Sequence, residues 1–78
     1  MNVQWHYTEQ GAYPEVYGKY EHQHYPQIPC LVEYHGDCRI LVWNVTESCW
    51  DSEDADDYFC MKDEVTRWMY LDAIMELK

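Results

Sequence analysis

The chain has 78 residues and a formal net charge of −10 at pH 7, from fifteen acidic and five basic residues. A chain of this length buries only about 60% of its unfolded surface, so we expect one domain, residues 1–78, with a core of large side chains. This charge repels nucleic acid and anionic membranes, which argues against binding to either and favours partners with basic protein surfaces.

The first third of the chain contains one alternating segment followed by a region rich in turn formers. Residues 3–9 alternate apolar and polar side chains, with Trp5 and Tyr7 on one face, which predicts a half-buried strand. Glycines and prolines interrupt residues 11–27. We interpret that region as a loop with one candidate edge strand at residues 16–20, weakened by Gly18.

Residues 30–44 form the strongest short-range fold signal, two β-branched and aromatic runs separated by a glycine turn. A two-residue loop at His35-Gly36 would give Gly36 the positive φ of a type I′ turn and place Glu33 opposite Cys38. A loop one residue longer would instead place Glu33 opposite Arg39, a favourable charge pair. The sequence leaves both registers open.

The N-terminus lacks a basic region followed by an apolar run, and no apolar stretch approaches the length of a membrane helix. These features predict a cytoplasmic protein, in which the four cysteines are expected to be reduced thiols. In both registers Cys30 faces residue 41 or 42, so we do not expect a disulfide between Cys30 and Cys38.

A second turn is predicted after the hairpin, centred on residues 46–47. It would place Trp43 opposite Trp50, an aromatic cross-strand pair that helps to fix the register. The expected product is a three-stranded antiparallel meander.

An acidic segment follows the meander, and residues 47–64 carry eight of the fifteen acidic residues. The segment is interpreted as a solvated loop or as a helix start, where carboxylates favour the positive end of the dipole. Its carboxylates are also the candidate partner-binding residues. These are Asp51, Glu53, Asp54, Asp56 and Asp57.

Apolar side chains recur with helical spacing through the last fifteen or so residues. Val65, Trp68, Met69 and Ile74 fit one face of an amphipathic helix, so periodicity alone predicts a helix over residues 63–77.

Residues 63–71, Asp-Glu-Val-Thr-Arg-Trp-Met-Tyr-Leu, resemble the ending of a family of small phage and prophage proteins called domain of unknown function 551. The typical ending of that family reads Val-Thr-His-Trp-Met-Pro-Leu-Pro. An early tryptophan followed by Pro-Glu, and a hairpin leading to a Trp-Asp pair, match in the same order. Arg67 replaces the family's histidine, and Tyr70 and Asp72 replace its prolines.

The resemblance implies a strand over residues 64–69, with helix only from about residue 71. It also implies a phage or prophage gene expressed in a bacterial cytoplasm. The family has no established activity, so no functional residue is carried over from it.

No residue pattern indicates a metal or catalytic site. Cys30, His35 and Cys38 are the nearest approach to a zinc set, but they surround a hairpin and lack a Cys-x-x-Cys knuckle. The acidic segment lacks the glycine and glutamate of an EF-hand loop. We therefore expect no cofactor and no enzymatic activity.

The predicted fold is a small α+β domain, mainly an antiparallel sheet of three to five strands in a hairpin meander, with a short C-terminal helix. The leading functional hypothesis is a non-enzymatic module or inhibitor that binds a host protein through its acidic surface, which could imitate DNA phosphates. The alternative is a self-associating or small-ligand-binding module in which Trp43, Trp50 and Trp68 form an aromatic platform. A metal-stabilised domain is the third hypothesis.

Overall fold

The computed structural model describes residues 2–77 and confirms the α+β class. Among these residues, six antiparallel strands form one sheet in the order β1-β6-β2-β3-β4-β5, one strand more than the upper end of the prediction. The strands are β1 His6–Tyr7, β2 Gln27–Tyr34, β3 Asp37–Asn44, β4 Cys49–Asp51, β5 Tyr58–Met61 and β6 Val65–Tyr70, followed by helix α1 Leu71–Met75. Short 3-10 helices occupy Thr8–Gln10, Gly18–His22 and Lys62–Glu64.

The central hairpin closes through a two-residue loop, the first of the two predicted registers. His35 and Gly36 have φ angles of 49° and 86°, and Glu33 pairs with Cys38. Glu33 is therefore not opposite Arg39. Its ion pair forms instead with Arg67 on β6, with Nε and Oε1 2.7 Å apart.

The predicted pairing of the two tryptophans is also confirmed. Trp43 on β3 stands opposite Trp50 on β4, and their ring centroids lie 4.8 Å apart in an edge-to-face arrangement. Aromatic pairs of this geometry stabilise a fold by more than the burial of their apolar surface alone.

The predicted helix over residues 63–77 is wrong for its first half, where β6 lies between β1 and β2. Val65 pairs with Tyr34 and Arg67 with Glu33, so Thr66 is an extra residue in a β-bulge. The bulge places Val65 and Trp68 on the same face although they are three positions apart. This spacing imitates the period of a helix, while the strand is the one that the family resemblance implied.

The sheet is strongly curled because the connection from β5 to β6 is short. Four inter-strand spacings separate β5 from β6 in the sheet order, which is about 19 Å in a flat sheet. Met61 and Val65 are joined by only three residues, and four backbone steps span at most about 14 Å. The sheet therefore bends until β5 approaches β2, and the rings of Phe59 on β5 and Tyr34 on β2 are 5.1 Å apart.

The segment between β1 and β2 covers the concave side. The predicted strand at residues 3–9 is reduced to His6–Tyr7, and the candidate edge strand at residues 16–20 is wrong, because Gly18–His22 form a 3-10 helix. Tyr13 stacks on Trp43 at 5.1 Å, and Tyr20 is buried. The segment thus supplies aromatic rings to a core that the sheet alone leaves open.

Helix α1 is held by a carboxylate in its first turn, that of Asp72. Asp72 Oδ2 accepts hydrogen bonds from the hydroxyls of Tyr17 at 2.7 Å and Tyr20 at 3.3 Å. Burial, followed by the bond to Asp72, raises the pKa of Tyr17 above its ordinary value. Within residues 2–77, no helix has the length and apolar character needed to cross a bilayer.

The core lies between the curled sheet and the covering segment. Trp43, Trp50 and Trp68 are 5%, 0% and 1% exposed, so they form this core and not the aromatic platform of the alternative hypothesis. The other fully buried large side chains are Ile28, Cys30, Val32, Leu41, Cys60 and Val65.

The first prediction concerns the hairpin turn. We expect Gly36→Ala to lower the free energy of unfolding by about 1–2 kcal/mol, because an alanine is strained at φ 86°. No atom lies within 4 Å of the added Cβ, so the loss would come from the backbone alone. Gly36→Asn is the control, since asparagine tolerates the left-handed region better. Urea denaturation measures both, and equal losses would contradict the type I′ turn.

The second prediction compares the two most buried tryptophans. Trp68 Nε1 donates to the Ala12 carbonyl at 2.9 Å, whereas Trp50 Nε1 is buried without a hydrogen-bond partner among the described residues. Phenylalanine at either position removes similar volume, but only Trp68→Phe leaves a carbonyl unpaired. We expect Trp68→Phe to cost about 1–3 kcal/mol more than Trp50→Phe in urea denaturation. A larger loss for Trp50→Phe would contradict the assigned bond.

Candidate functional site

The acidic segment forms a closed surface loop between β4 and β5. The Ser52 amide donates to the Asp57 carbonyl at 2.7 Å, and the Ala55 amide donates to the Ser52 carbonyl at 2.8 Å. Ala55 adopts a left-handed φ of 63°, which tightens the turn. Four of the five predicted partner-binding carboxylates belong to this loop and are exposed. They are Glu53, Asp54, Asp56 and Asp57.

Asp51, the fifth predicted residue, does not belong to the exposed surface. Its side chain points away from the core, onto the convex face of the sheet. The acidic loop covers it there, so Asp51 is only 7% exposed. Asp51 Oδ2 accepts hydrogen bonds from Gln27 Nε2 at 2.9 Å and Asn44 Nδ2 at 3.0 Å. Gln27 Nε2 also donates to the Ala55 carbonyl at 3.3 Å, so one amide holds both the carboxylate and the loop.

A cleft of about 440 Å³ opens beside Asp51 on the convex face, between the β3–β4 turn and strand β5. We call it the Asp51 cleft. It is lined by Asn44, Glu47, Ser48, Cys49, Asp51, Tyr58, Met61 and Lys62. Tyr58 and Met61 are 59% and 58% exposed, and both are among the large apolar side chains left open to solvent.

The Asp51 cleft has a negative electrostatic environment. Burial raises the pKa of the Cys49 thiol, and the carboxylates of Asp51 and Glu47 raise it further. The thiol lies 3.8 Å from Asp51 Oδ1, where it acts as a weak donor. Negative charge on the sulfur is thus disfavoured, and the same field favours cations.

Of the residues that line this cleft, only Asp51 was predicted from the sequence as a site residue. Tyr58 and Met61 meet there because Met61 pairs with Cys49 and Tyr58 pairs with Asp51 across β4 and β5. Glu47 joins them from the β3–β4 turn, where its amide donates to Asn44 Oδ1 at 3.0 Å. This register includes a bulge at Phe59, which turns Tyr58 outward. The charge of the acidic loop indicated an exposed surface, but the residue types alone did not indicate the bulge that turns Tyr58 outward.

A second cleft, of about 600 Å³, opens on the other side of Lys62. His6, Tyr13 and Tyr70 contribute rings to it, together with the edges of Trp43 and Trp68. Because both tryptophans are almost fully buried, they offer little surface to a ligand. The Lys62 ammonium lies 5.6 Å from the Tyr13 ring centroid.

The four cysteines lie on four different strands, β2, β3, β4 and β5. Cys30 is buried opposite Leu41, while Cys38 is exposed opposite Glu33. His35 Nε2 lies 3.8 Å from Glu64 Oε1. Residues 2–77 hold no group of three or more metal-ligating side chains, and the four cysteines are free.

Comparison with protein-family models, with curated protein sequences and with solved structures found no match to this chain. The resemblance of residues 63–71 to the phage family stays a prediction from that motif. Strand Val65–Tyr70 agrees with the secondary structure that the motif implied, but it belongs to the sheet of this chain and does not identify a family.

The third prediction tests the negative field with the thiols. Cys38 is exposed and Cys49 is half-buried beside two carboxylates, so iodoacetamide at pH 8 should alkylate Cys38 first. Cys60, whose pKa is raised to about 11 mainly by burial, and Cys30 should react only on unfolding. Glu47→Gln should speed the alkylation of Cys49, because removal of a negative charge lowers the thiol pKa. Mass spectrometry follows each site, with Cys38 as the internal standard; an unchanged Cys49 rate would contradict the effect of Glu47.

Proposed function

We propose that this chain is a non-enzymatic module that binds a protein with a basic surface through the acidic loop at residues 52–57. The observation that carries the proposal is the fixed presentation of four exposed carboxylates on a loop closed by its own backbone hydrogen bonds. A loop held in one conformation loses less entropy on binding than a mobile one.

Charge supplies the mechanism of recognition. With a net charge of −10, the whole molecule attracts cationic surfaces, and the loop concentrates that attraction at one place. Electrostatic complementarity of this kind chiefly raises the association rate and excludes partners of the wrong charge. A basic nucleic-acid site on a host protein has the charge that the loop complements, so the loop would act there as a substitute for phosphates.

The phage or prophage origin implied by residues 63–71 is part of the proposal. A small acidic protein made in a bacterial cytoplasm meets many host proteins with basic nucleic-acid sites. Inhibition of one such protein by occupation of its site requires only binding, without a catalytic step by this chain.

The aromatic alternative receives less support. Its platform requires exposed tryptophan faces, whereas Trp43, Trp50 and Trp68 are buried. The exposed rings and apolar chains near the acidic loop, those of Tyr58 and Met61, instead adjoin the carboxylates.

The fourth prediction concerns the position of the charge. The triple variant Asp54→Asn, Asp56→Asn, Asp57→Ala should lose a partner that the wild-type chain captures from bacterial lysate, because the local field is removed. A control triple variant, Glu9→Gln, Glu15→Gln, Glu21→Gln, changes the net charge equally at exposed positions outside the loop and should retain the partner.

The capture is washed at low and at high salt and read by mass spectrometry. A partner held by surface charge should be lost at about 1 M salt, where charges are screened within about 3 Å. If both triple variants retain the partner equally, the loop is not the binding surface. If the wild-type chain retains the partner at high salt, the charge mechanism is wrong.

A further inference from the structure

Asp51 is a buried carboxylate that forms no ion pair with a cation of residues 2–77. Its side chain is 7% exposed, and no Lys, Arg or His within the described part of the chain forms an ion pair with it. A buried charge is costly unless a counter-charge and hydrogen bonds compensate it. Here the hydrogen bonds are present, but no residue among 2–77 supplies the counter-charge in an ion pair.

The two carboxylate oxygens differ in their partners. Oδ2 accepts from two amides, those of Gln27 and Asn44. Among the described residues, Oδ1 accepts only from the Cys49 thiol at 3.8 Å, a weak donor. Because a carboxylate oxygen accepts about two hydrogen bonds, Oδ1 retains capacity for a strong donor, and Asp51 lines an open cleft.

The walls of the Asp51 cleft suit a long cationic side chain. The exposed ring of Tyr58 offers a π face, and the exposed thioether chain of Met61 offers apolar surface for methylene groups. Glu47, on the β3–β4 turn, provides a second carboxylate among the lining residues. A cation in the cleft would therefore meet negative charge from two different elements.

We propose that the Asp51 cleft binds an arginine side chain of the basic partner. The proposal rests on the proposed function and names its anchor. Arginine fits better than lysine, because the planar guanidinium presents five N–H donors in a fork that can reach two carboxylates and can stack on Tyr58. A lysine ammonium would act as a point charge without this stacking.

Lys62 is the cation already present among the lining residues. Its ammonium is placed over the ring of Tyr13, a residue of the second cleft and not of this one. The lysine chain thus forms one boundary of the Asp51 cleft, while its charge faces the neighbouring one.

The test compares acetylated octa-arginine with acetylated octa-lysine by isothermal titration calorimetry at low salt, with the full chain. The peptides carry equal charge, so general attraction to the acidic surface treats them alike. The cleft should make octa-arginine bind at least about tenfold more tightly, the usual effect of hydrogen bonds to a charged group. In NMR spectra, octa-arginine should shift the side-chain amide signals of Gln27 and Asn44, which bond to Asp51.

Asp51→Asn and Tyr58→Ala should each reduce the affinity for octa-arginine to that for octa-lysine. Asp54→Asn changes the net charge by the same amount as Asp51→Asn, but its residue lies in the loop outside the cleft, so the preference for arginine should persist. Because Tyr58 is 59% exposed, Tyr58→Ala should leave the fold intact. This variant therefore still tests the cleft if Asp51→Asn disturbs the fold.

Equal affinities of the wild-type chain for the two peptides would overturn the arginine site and leave the charge-driven function intact. Equal loss of the preference in Asp51→Asn and Asp54→Asn would also overturn it. If neither peptide binds at low salt, the proposed function itself fails.

Discussion

The short connection between β5 and β6 is the constraint on which this structure depends. Three residues join two strands that four spacings separate in the sheet order, so the sheet must curl. The curl gives a chain of 78 residues an interior deep enough to bury three tryptophans almost completely. The core cluster fills the concave side, while Asp51 and its polar partners Gln27 and Asn44 lie on the convex side.

Two β-bulges reconcile this curl with the side-chain pattern. The extra residue Thr66 lets Val65 and Trp68 both face the core, and the extra residue Phe59 lets Cys60 face inward while Tyr58 faces out. Bulges bend a strand and increase its twist, so both of them favour the curl of the sheet. The outward position of Tyr58 beside the Asp51 cleft is therefore a consequence of the same geometry that closes the core.

The sequence predicted those features that depend on neighbouring residues. The glycine at position 36 indicated the tight turn, and the spacing of Trp43 and Trp50 indicated their pairing, because a turn fixes register locally. It failed where distant strands decide the outcome. Val65 and Trp68 have helical spacing because a bulge interrupts the strand. The sequence also groups Asp51 with its acidic neighbours, although the loop covers it on the convex face. Neither Glu47 nor Met61 could be assigned to the cleft without the register of β5.

The two carboxylate oxygens of Asp51 have different roles, Oδ2 in the fold and Oδ1 in binding. The fold uses Oδ2, on which the amides of Gln27 and Asn44 converge and through which the acidic loop is tied to the sheet. An asparagine carbonyl could accept the same two bonds, so the fold requires an oxygen at this point and not a charge. Oδ1, and with it the negative charge, has only the Cys49 thiol as a partner among the described residues. Burial increases the free-energy cost of a charge that has no counter-charge. A cation entering from the cleft would remove that cost, and this difference between the two oxygens is why the carboxylate is better explained by binding than by folding.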